Sequence, residues 1–121
     1  MTTDKKKVYV VDDDESVCRA LKILLVAFGF EVNTFPSAET FFSAVPNNVH
    51  GCLVLDIHMP GMDGWEAIKK LIKSKATRPV IIISADKNGG LKENALKAGA
   101  AGFLQKPFHD QALINLIHKV Y

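Results

Sequence analysis

Asp56 closes an apolar run, Cys52-Leu53-Val54-Leu55, and is followed by Ile57-His58-Met59-Pro60-Gly61-Met62-Asp63-Gly64. A carboxylate at the end of a buried strand, beside a Pro/Gly turn, contributes nothing to a core. Without a partner, its loss of solvent costs on the order of several kcal/mol or drives it to take up a proton. Other groups at strand ends could meet it. Asp12, Asp13, Asp14 and Glu15 follow the run Val8-Tyr9-Val10-Val11. Ser84 follows Val80-Ile81-Ile82-Ile83, and Lys106 follows Phe103-Leu104-Gln105. Acids, a hydroxyl and an ammonium together suit a bound cation and an incoming anion.

The elements that must position these groups can be read from periodicity. Val17, Leu21, Leu24, Leu25 and Phe28 recur at helical spacing, with Gly29 placed to end the helix. The segment Phe30 to Phe35 alternates like a strand. Pro36-Ser37 opens a short helix carrying Phe41, Phe42 and Val45. Trp65, Ile68, Leu71 and Ile72 make another helical face, and Leu91, Ala95 and Ala98 precede Gly99. Leu113, Leu116, Ile117 and Val120 mark a last helix. Val80 to Ile83 is the strongest strand signal, because a β-branched run fits a sheet buried on both faces. The order is strand then helix throughout, which implies an α/β fold built on one doubly wound, five-stranded parallel sheet. With 121 residues, the chain is expected to form one domain over 1–121, with 1–6 as a flexible flank.

In open α/β sheets, ligands sit at the carboxyl ends of the strands, where the strand order reverses. The flavodoxin-like order 2-1-3-4-5, applied as a known pattern, makes the first and third strands neighbours at that point. Asp12, Asp13 and Asp56 then face one another. Three such carboxylates do not ionise together comfortably without a cation. Mg²⁺ suits one or two carboxylates, water and a phosphoryl oxygen. An incoming phosphoryl group would meet the cation, Lys106 and Ser84, groups that stabilise charge spread over its oxygens. No Gly-x-x-x-x-Gly-Lys loop is present to cradle a nucleotide.

Plainer readings stand beside this one. Asp14 and Glu15 suit the first turn of a helix, where acids favour the macrodipole. Ser84 alone reads as a strand-end hydroxyl and Lys106 alone as a surface lysine. The odds shift because Asp12, Asp13, Asp56, Ser84 and Lys106 all fall at carboxyl ends of expected parallel strands. Cys18 and Cys52 read as small buried hydrophobes rather than a disulfide or metal pair, which fits a reducing cytoplasm. The net charge of +2 gives no strong pull toward nucleic acid. Lys5-Lys6-Lys7 reads as a solvated flank, and Lys69, Lys70, Lys73, Lys75 and Arg78 as a solvated helix surface. No apolar run approaches the ~18 residues of a membrane span, and Met1 to Lys7 lacks the apolar stretch and cleavage site of a signal peptide.

These motifs, in this order and at this spacing, resemble a response regulator receiver domain of two-component signal transduction. The resemblance rests on Asp12-Asp13 after Val10-Val11, Asp56 before Met59 to Gly64, Ser84-Ala85 and Lys106-Pro107-Phe108. It runs from about Lys7 to Tyr121. It implies that Asp56 is the phosphoacceptor, taking a phosphoryl group from a phosphohistidine on a sensor histidine kinase or phosphotransfer protein. Asp13, Asp56 and the backbone carbonyl of His58 would hold Mg²⁺ (or Mn²⁺), with Asp12 ligating directly or through water. Lys106 and Ser84 would contact the phosphoryl oxygens, and Phe103 would turn inward with Ser84 as the switch. Phe103 lacks the hydroxyl that many relatives carry there. The Lys106-Pro107 bond is implied to be cis. His58 and Asp86, facing across the mouth, would tune the lifetime of the phosphorylated state. The helix 4–strand 5–helix 5 surface would carry the signal to an output domain or target. A phosphorylation-dependent homodimer is a further implication; direct nucleic-acid binding and membrane contact are not. The chain would then be a switch rather than an enzyme, limited to its own autocatalysed phosphorylation and dephosphorylation.

The best enzyme alternative is a haloacid-dehalogenase-like phosphatase using Asp12 and Asp14, although Ser16 stands where that family places Thr or Val. A flavodoxin-like binding module would need a Ser/Thr/Gly-rich first loop where this chain has acids. An EF-hand reading of Asp12-x-Asp14-x-Ser16 fails at Ile23, where a bidentate Glu is required.

Overall fold

A computed structural model describes residues 6–59, 61–73, 78–87 and 89–121. Pro60, Lys75 and residues 1–5 of the expected flank lie outside the described residues, as do the side chains of Ile72 and Lys73. Five strands alternate with five helices: β1 (Lys7–Val11), α1 (Glu15–Ala27), β2 (Glu31–Phe35), α2 (Ala38–Ala44), β3 (Cys52–Asp56), α3 (Gly64–Lys73), β4 (Val80–Ser84), α4 (Leu91–Lys97), β5 (Gly102–Gln105) and α5 (Asp110–Val120). The strands pair in parallel in the order β2-β1-β3-β4-β5. This is the expected architecture. Lys7 belongs to β1 rather than to a solvated flank.

Burial explains the pattern. Every residue of β3 and β4 is buried, as a central parallel strand with helices on both faces requires. One apolar cluster gathers Leu53, Leu55 and Ile82 with Phe41 of α2, Ile68 of α3 and Ala95 of α4. The other gathers Val54, Ile81 and Ile83 with Leu21 and Leu25 of α1 and Leu113 and Ile117 of α5. Alternate residues of each central strand thus feed opposite cores.

Local chemistry sets the helix ends. Asp14 caps α1 by accepting the Ser16 N–H, and Gly29, with φ +92°, ends the turn beyond it. Ser37 caps α2 by accepting the Thr40 N–H. Gly64 is required where α3 begins, since a Cβ there would lie 2.7 Å from the Ile57 Cα. Helix α4 is short and lightly buried: Gly90 supplies no side-chain cap, and Ala95 is its only buried residue.

A second expectation is overturned. Arg78 is buried at 7% exposure, not part of a solvated basic surface. Its Nε donates to the Val49 carbonyl at 2.8 Å and its Nη2 to the Pro46 carbonyl. Its guanidinium lies over the rings of Phe41 and Tyr9, at 5.3 and 5.9 Å from their centroids. Desolvation lowers its pKa, but a guanidinium with carbonyl acceptors and aromatic faces stays charged.

Candidate functional site

Strand register brings the chemical groups to one edge. Val11 pairs with Leu55, so Asp12, the next residue, stands beside Asp56. Asp56 pairs with Ile83 and Ser84 with Gln105, which brings Ser84 and Lys106 to the same edge. The strand bonding continues past β5, where the Lys106 N–H donates to the Ser84 carbonyl at 2.7 Å. The Lys106–Pro107 peptide is cis.

The acids converge as expected. One carboxylate oxygen from each of Asp12, Asp13 and Asp56 lies within 4.8 Å of the others. Asp12 is buried at 1% exposure, Asp56 is buried, and Asp13 is exposed. The Lys106 ammonium donates to Asp12 Oδ2 at 2.8 Å and stands 3.8 Å from Asp56 Oδ2. Asp12 Oδ1 accepts the Asp14 N–H, and Asp56 Oδ1 accepts the His58 N–H at 3.4 Å. The lysine therefore sits closest to Asp12 and only brushes Asp56.

Electrostatics leave Asp56 short of countercharge. Burial raises its pKa first and the Asp12 charge second; Lys106 and the His58 N–H pull the other way, and Asp13 raises it further. Three carboxylates facing one ammonium keep excess negative charge. The donor set is all oxygen, with an exposed acid at the rim and buried ones behind it. A hard divalent cation of the Mg²⁺ kind fits such a set.

The other expected residues divide into two groups. Ser84 is fully buried, and its Oγ accepts the Asp86 N–H at 3.0 Å. His58 Nε2 and Asp86 Oδ2 lie 3.2 Å apart, which closes a clasp across the mouth. Phe103 lies on β5, away from the acids, half-buried against the α2–α4 core. It borders a groove of about 370 Å³ that also touches Asp86, Gly90 and Leu91. Asp14 is held elsewhere. The Ser16 hydroxyl and N–H bind its carboxylate and lower its pKa. The phosphatase alternative needs that carboxylate in the site, and the cap occupies it.

Cys18 and Cys52 are free and buried. Burial pushes the Cys52 thiol up to about 12. Cys18 is raised by burial and by the Asp12 charge, and its Sγ lies 3.3 Å from the Asp12 carbonyl. Both are packing residues with poor nucleophilicity. One contact had no sequence signal: Glu39 of α2 accepts the Met62 N–H at 3.4 Å, in the loop that follows Asp56.

Comparisons with known proteins bear on the family and the fold. Residues 8–118 match the family model described as the response regulator receiver domain. The transcriptional regulatory protein FixJ of Bradyrhizobium diazoefficiens is 38% identical over 115 residues, covering 95% of this chain and 56% of FixJ. The response regulator protein TmoT of Ectopseudomonas mendocina is 37% identical over 117 residues, covering 97% of this chain and 53% of TmoT. The solved structure of the response regulator StyR superposes with a TM-score of 0.89 at 44% identity, over 97% of this chain and 59% of that one. The crystal structure of FixJ-N gives a TM-score of 0.89 at 36% identity, over 98% and 94%. The chain thus spans about half the length of the curated relatives it matches. Among the described residues, no helix is long and apolar enough to cross a membrane.

Proposed function

This chain belongs to the response regulator receiver family, and from that premise we propose that Asp56 accepts a phosphoryl group and that the resulting charge switches the α4–β5–α5 surface. One observation carries the proposal: Asp12 and Asp13, just past β1, and Asp56, at the end of β3, each bring a carboxylate oxygen within 4.8 Å of the others. Stability alone does not account for such an arrangement.

Asp13, Asp56 and the His58 carbonyl would hold Mg²⁺ or Mn²⁺, with Asp12 ligating directly or through water. When bound, the cation neutralises charge on the acids and on the incoming phosphoryl oxygens. An Asp56 carboxylate oxygen attacks phosphorus of a phosphohistidine on a sensor kinase or phosphotransfer protein. The P–N bond breaks, and its electron pair returns to the imidazole. An acyl phosphate remains on Asp56. Lys106, poised 3.8 Å from that carboxylate, turns from Asp12 to the phosphoryl oxygens. The reaction stops at one phosphoryl group per chain until water removes it.

Switching follows from charge. The phosphoryl group adds about −1.5 to −2 charges and new acceptors. Ser84 Oγ leaves its place under the Asp86 N–H and donates to a phosphoryl oxygen. The β4–α4 loop moves with it, and Phe103 turns into the groove that opens beside α4. The short, lightly buried α4 is an element whose populations can shift at low cost. His58 and Asp86 shield the acyl phosphate from water. A partner domain or target then reads the changed face, with a second copy of the chain as one such partner.

The test uses acetyl phosphate with Mg²⁺ and intact-mass spectrometry. Wild type gains one phosphoryl group, which peptide mapping places on Asp56, and Asp56→Asn gains none. Modification that persists in Asp56→Asn at the same peptide, or repeated turnover of a phosphate ester, overturns the reading.

A further inference from the structure

The loop between β3 and α3 carries the His58 carbonyl, and His58 itself is tied by its N–H to Asp56 Oδ1 at 3.4 Å and by its ring to Asp86 at 3.2 Å. At the start of the loop, the Ile57 N–H donates to the Ile83 carbonyl at 3.1 Å. At its end, the Gly64 N–H donates to the Ile57 carbonyl at 2.9 Å, and Asp63 Oδ1 accepts the Glu66 N–H at 3.0 Å. Between these, Met59 is buried in the core. Past Met59, a further tie comes from α2: Glu39 Oε2, on the first turn of that helix, accepts the Met62 N–H.

Gly61 makes that approach feasible. Its φ is +77°, and a Cβ there would lie 2.5 Å from Glu39 Oε2. A side chain at 61 would meet both a strained backbone and the carboxylate. Absence of a side chain therefore lets α2 reach over the turn. We propose that Glu39 is a positioning residue: it latches the β3–α3 loop to α2 and so holds the His58 carbonyl in place for the divalent cation. Glu39 itself is not among the converged acids. It acts through the backbone, as groups beyond the ligands orient ligands at metal sites generally. The inference rests on the cation reading given above.

Charge and hydrogen bonding make different predictions here. Glu39→Ala removes both the acceptor and the negative charge, whereas Glu39→Gln removes only the charge. Mg²⁺ binding to the full chain, measured by calorimetry, should weaken by about 10-fold or more in Glu39→Ala. It should return to within about twofold of wild type in Glu39→Gln, because a carbonyl oxygen still meets the Met62 N–H. The Met62 amide resonance should lose hydrogen-exchange protection in Glu39→Ala and keep it in Glu39→Gln. Glu39 is exposed, so both variants should keep the wild-type melting temperature within a few degrees. Wild-type affinity in Glu39→Ala, or Glu39→Gln as weak as Glu39→Ala, overturns the latch and leaves the cation site intact. If wild type binds no Mg²⁺, the site reading falls first and the latch falls with it.

Discussion

Asp56→Asn should make the metal-free protein more stable at neutral pH. Asparagine preserves the shape and the oxygen that accepts the His58 N–H, and it removes the charge. Two opposing Coulomb effects nearly cancel. At an effective dielectric of about 20, unit charges separated like Asp56 and Lys106 attract by ~4 kcal/mol, and charges separated like the clustered acids repel by ~3.5 kcal/mol. The sign is then set by desolvation of the buried carboxylate and by the further repulsion from Asp13, both unfavourable to the charge. A net gain of about 1–2 kcal/mol is expected, or roughly 3–8 °C in Tm for a domain of this size. The pH dependence follows from the raised pKa. A carboxyl whose folded pKa exceeds its unfolded value destabilises the fold when ionised, so the penalty is full above the folded pKa and fades as pH falls through it. The advantage of Asn should therefore be largest at neutral pH and shrink toward about pH 4, where both states are protonating. Urea unfolding followed by circular dichroism across that range, in EDTA, measures it. An Asn variant that is no more stable at neutral pH, or whose advantage persists undiminished into acid, would refute the claim that the Asp56 charge is strained.

The remaining predictions concern the mouth and the buried cation. Breaking the His58–Asp86 clasp, 3.2 Å long, with His58→Ala or Asp86→Ala should speed loss of the Asp56 phosphoryl group about threefold, ~0.7 kcal/mol of barrier. Mass spectrometry after removal of the donor gives the rate, and unchanged rates in both variants sink the role. Arg78→Met keeps apolar bulk but strands the Val49 and Pro46 carbonyls that Arg78 satisfies. It should cost about 2–4 kcal/mol in urea unfolding, and Arg78→Lys should restore little, because a lysine lacks the planar fork. A loss under about 1 kcal/mol would mean that water replaces the guanidinium at no cost.

Much of the fold was legible because burial writes itself into residue type. The all-apolar runs of β3 and β4 require cover on both faces, and the helical spacings supply it. The strand order was not legible that way and came from a known pattern. The His58–Asp86 pairing was expected from the family resemblance, and the strands account for it. Each residue stands two positions beyond a residue at the end of β3 or β4, and those strands run side by side. Arg78 and Glu39 were not legible. Their partners are the Pro46 and Val49 carbonyls and the Met62 N–H, groups carried by nearly every residue. No side-chain type marks such a partner, so a buried arginine and a solvated one read alike in sequence.

The core and the site are two results of one register. Leu53 and Leu55 pack toward α2 and α3, while Cys52 and Val54 pack toward α1 and α5. Sliding β3 by one residue toward the amino ends of its neighbours would exchange those faces and carry the Asp56 carboxylate along the strand into the sheet interior. The first change disturbs packing; the second buries a charge away from Lys106 and from any cation. Both penalties act against the slip, so the apolar pairing of Val11 with Leu55 also fixes Asp56 beside Asp12. The strain in the acid cluster is thus sustained by strands buried on both faces. A substitution in β3 that loosens register should weaken cation binding even where it leaves every acid in place.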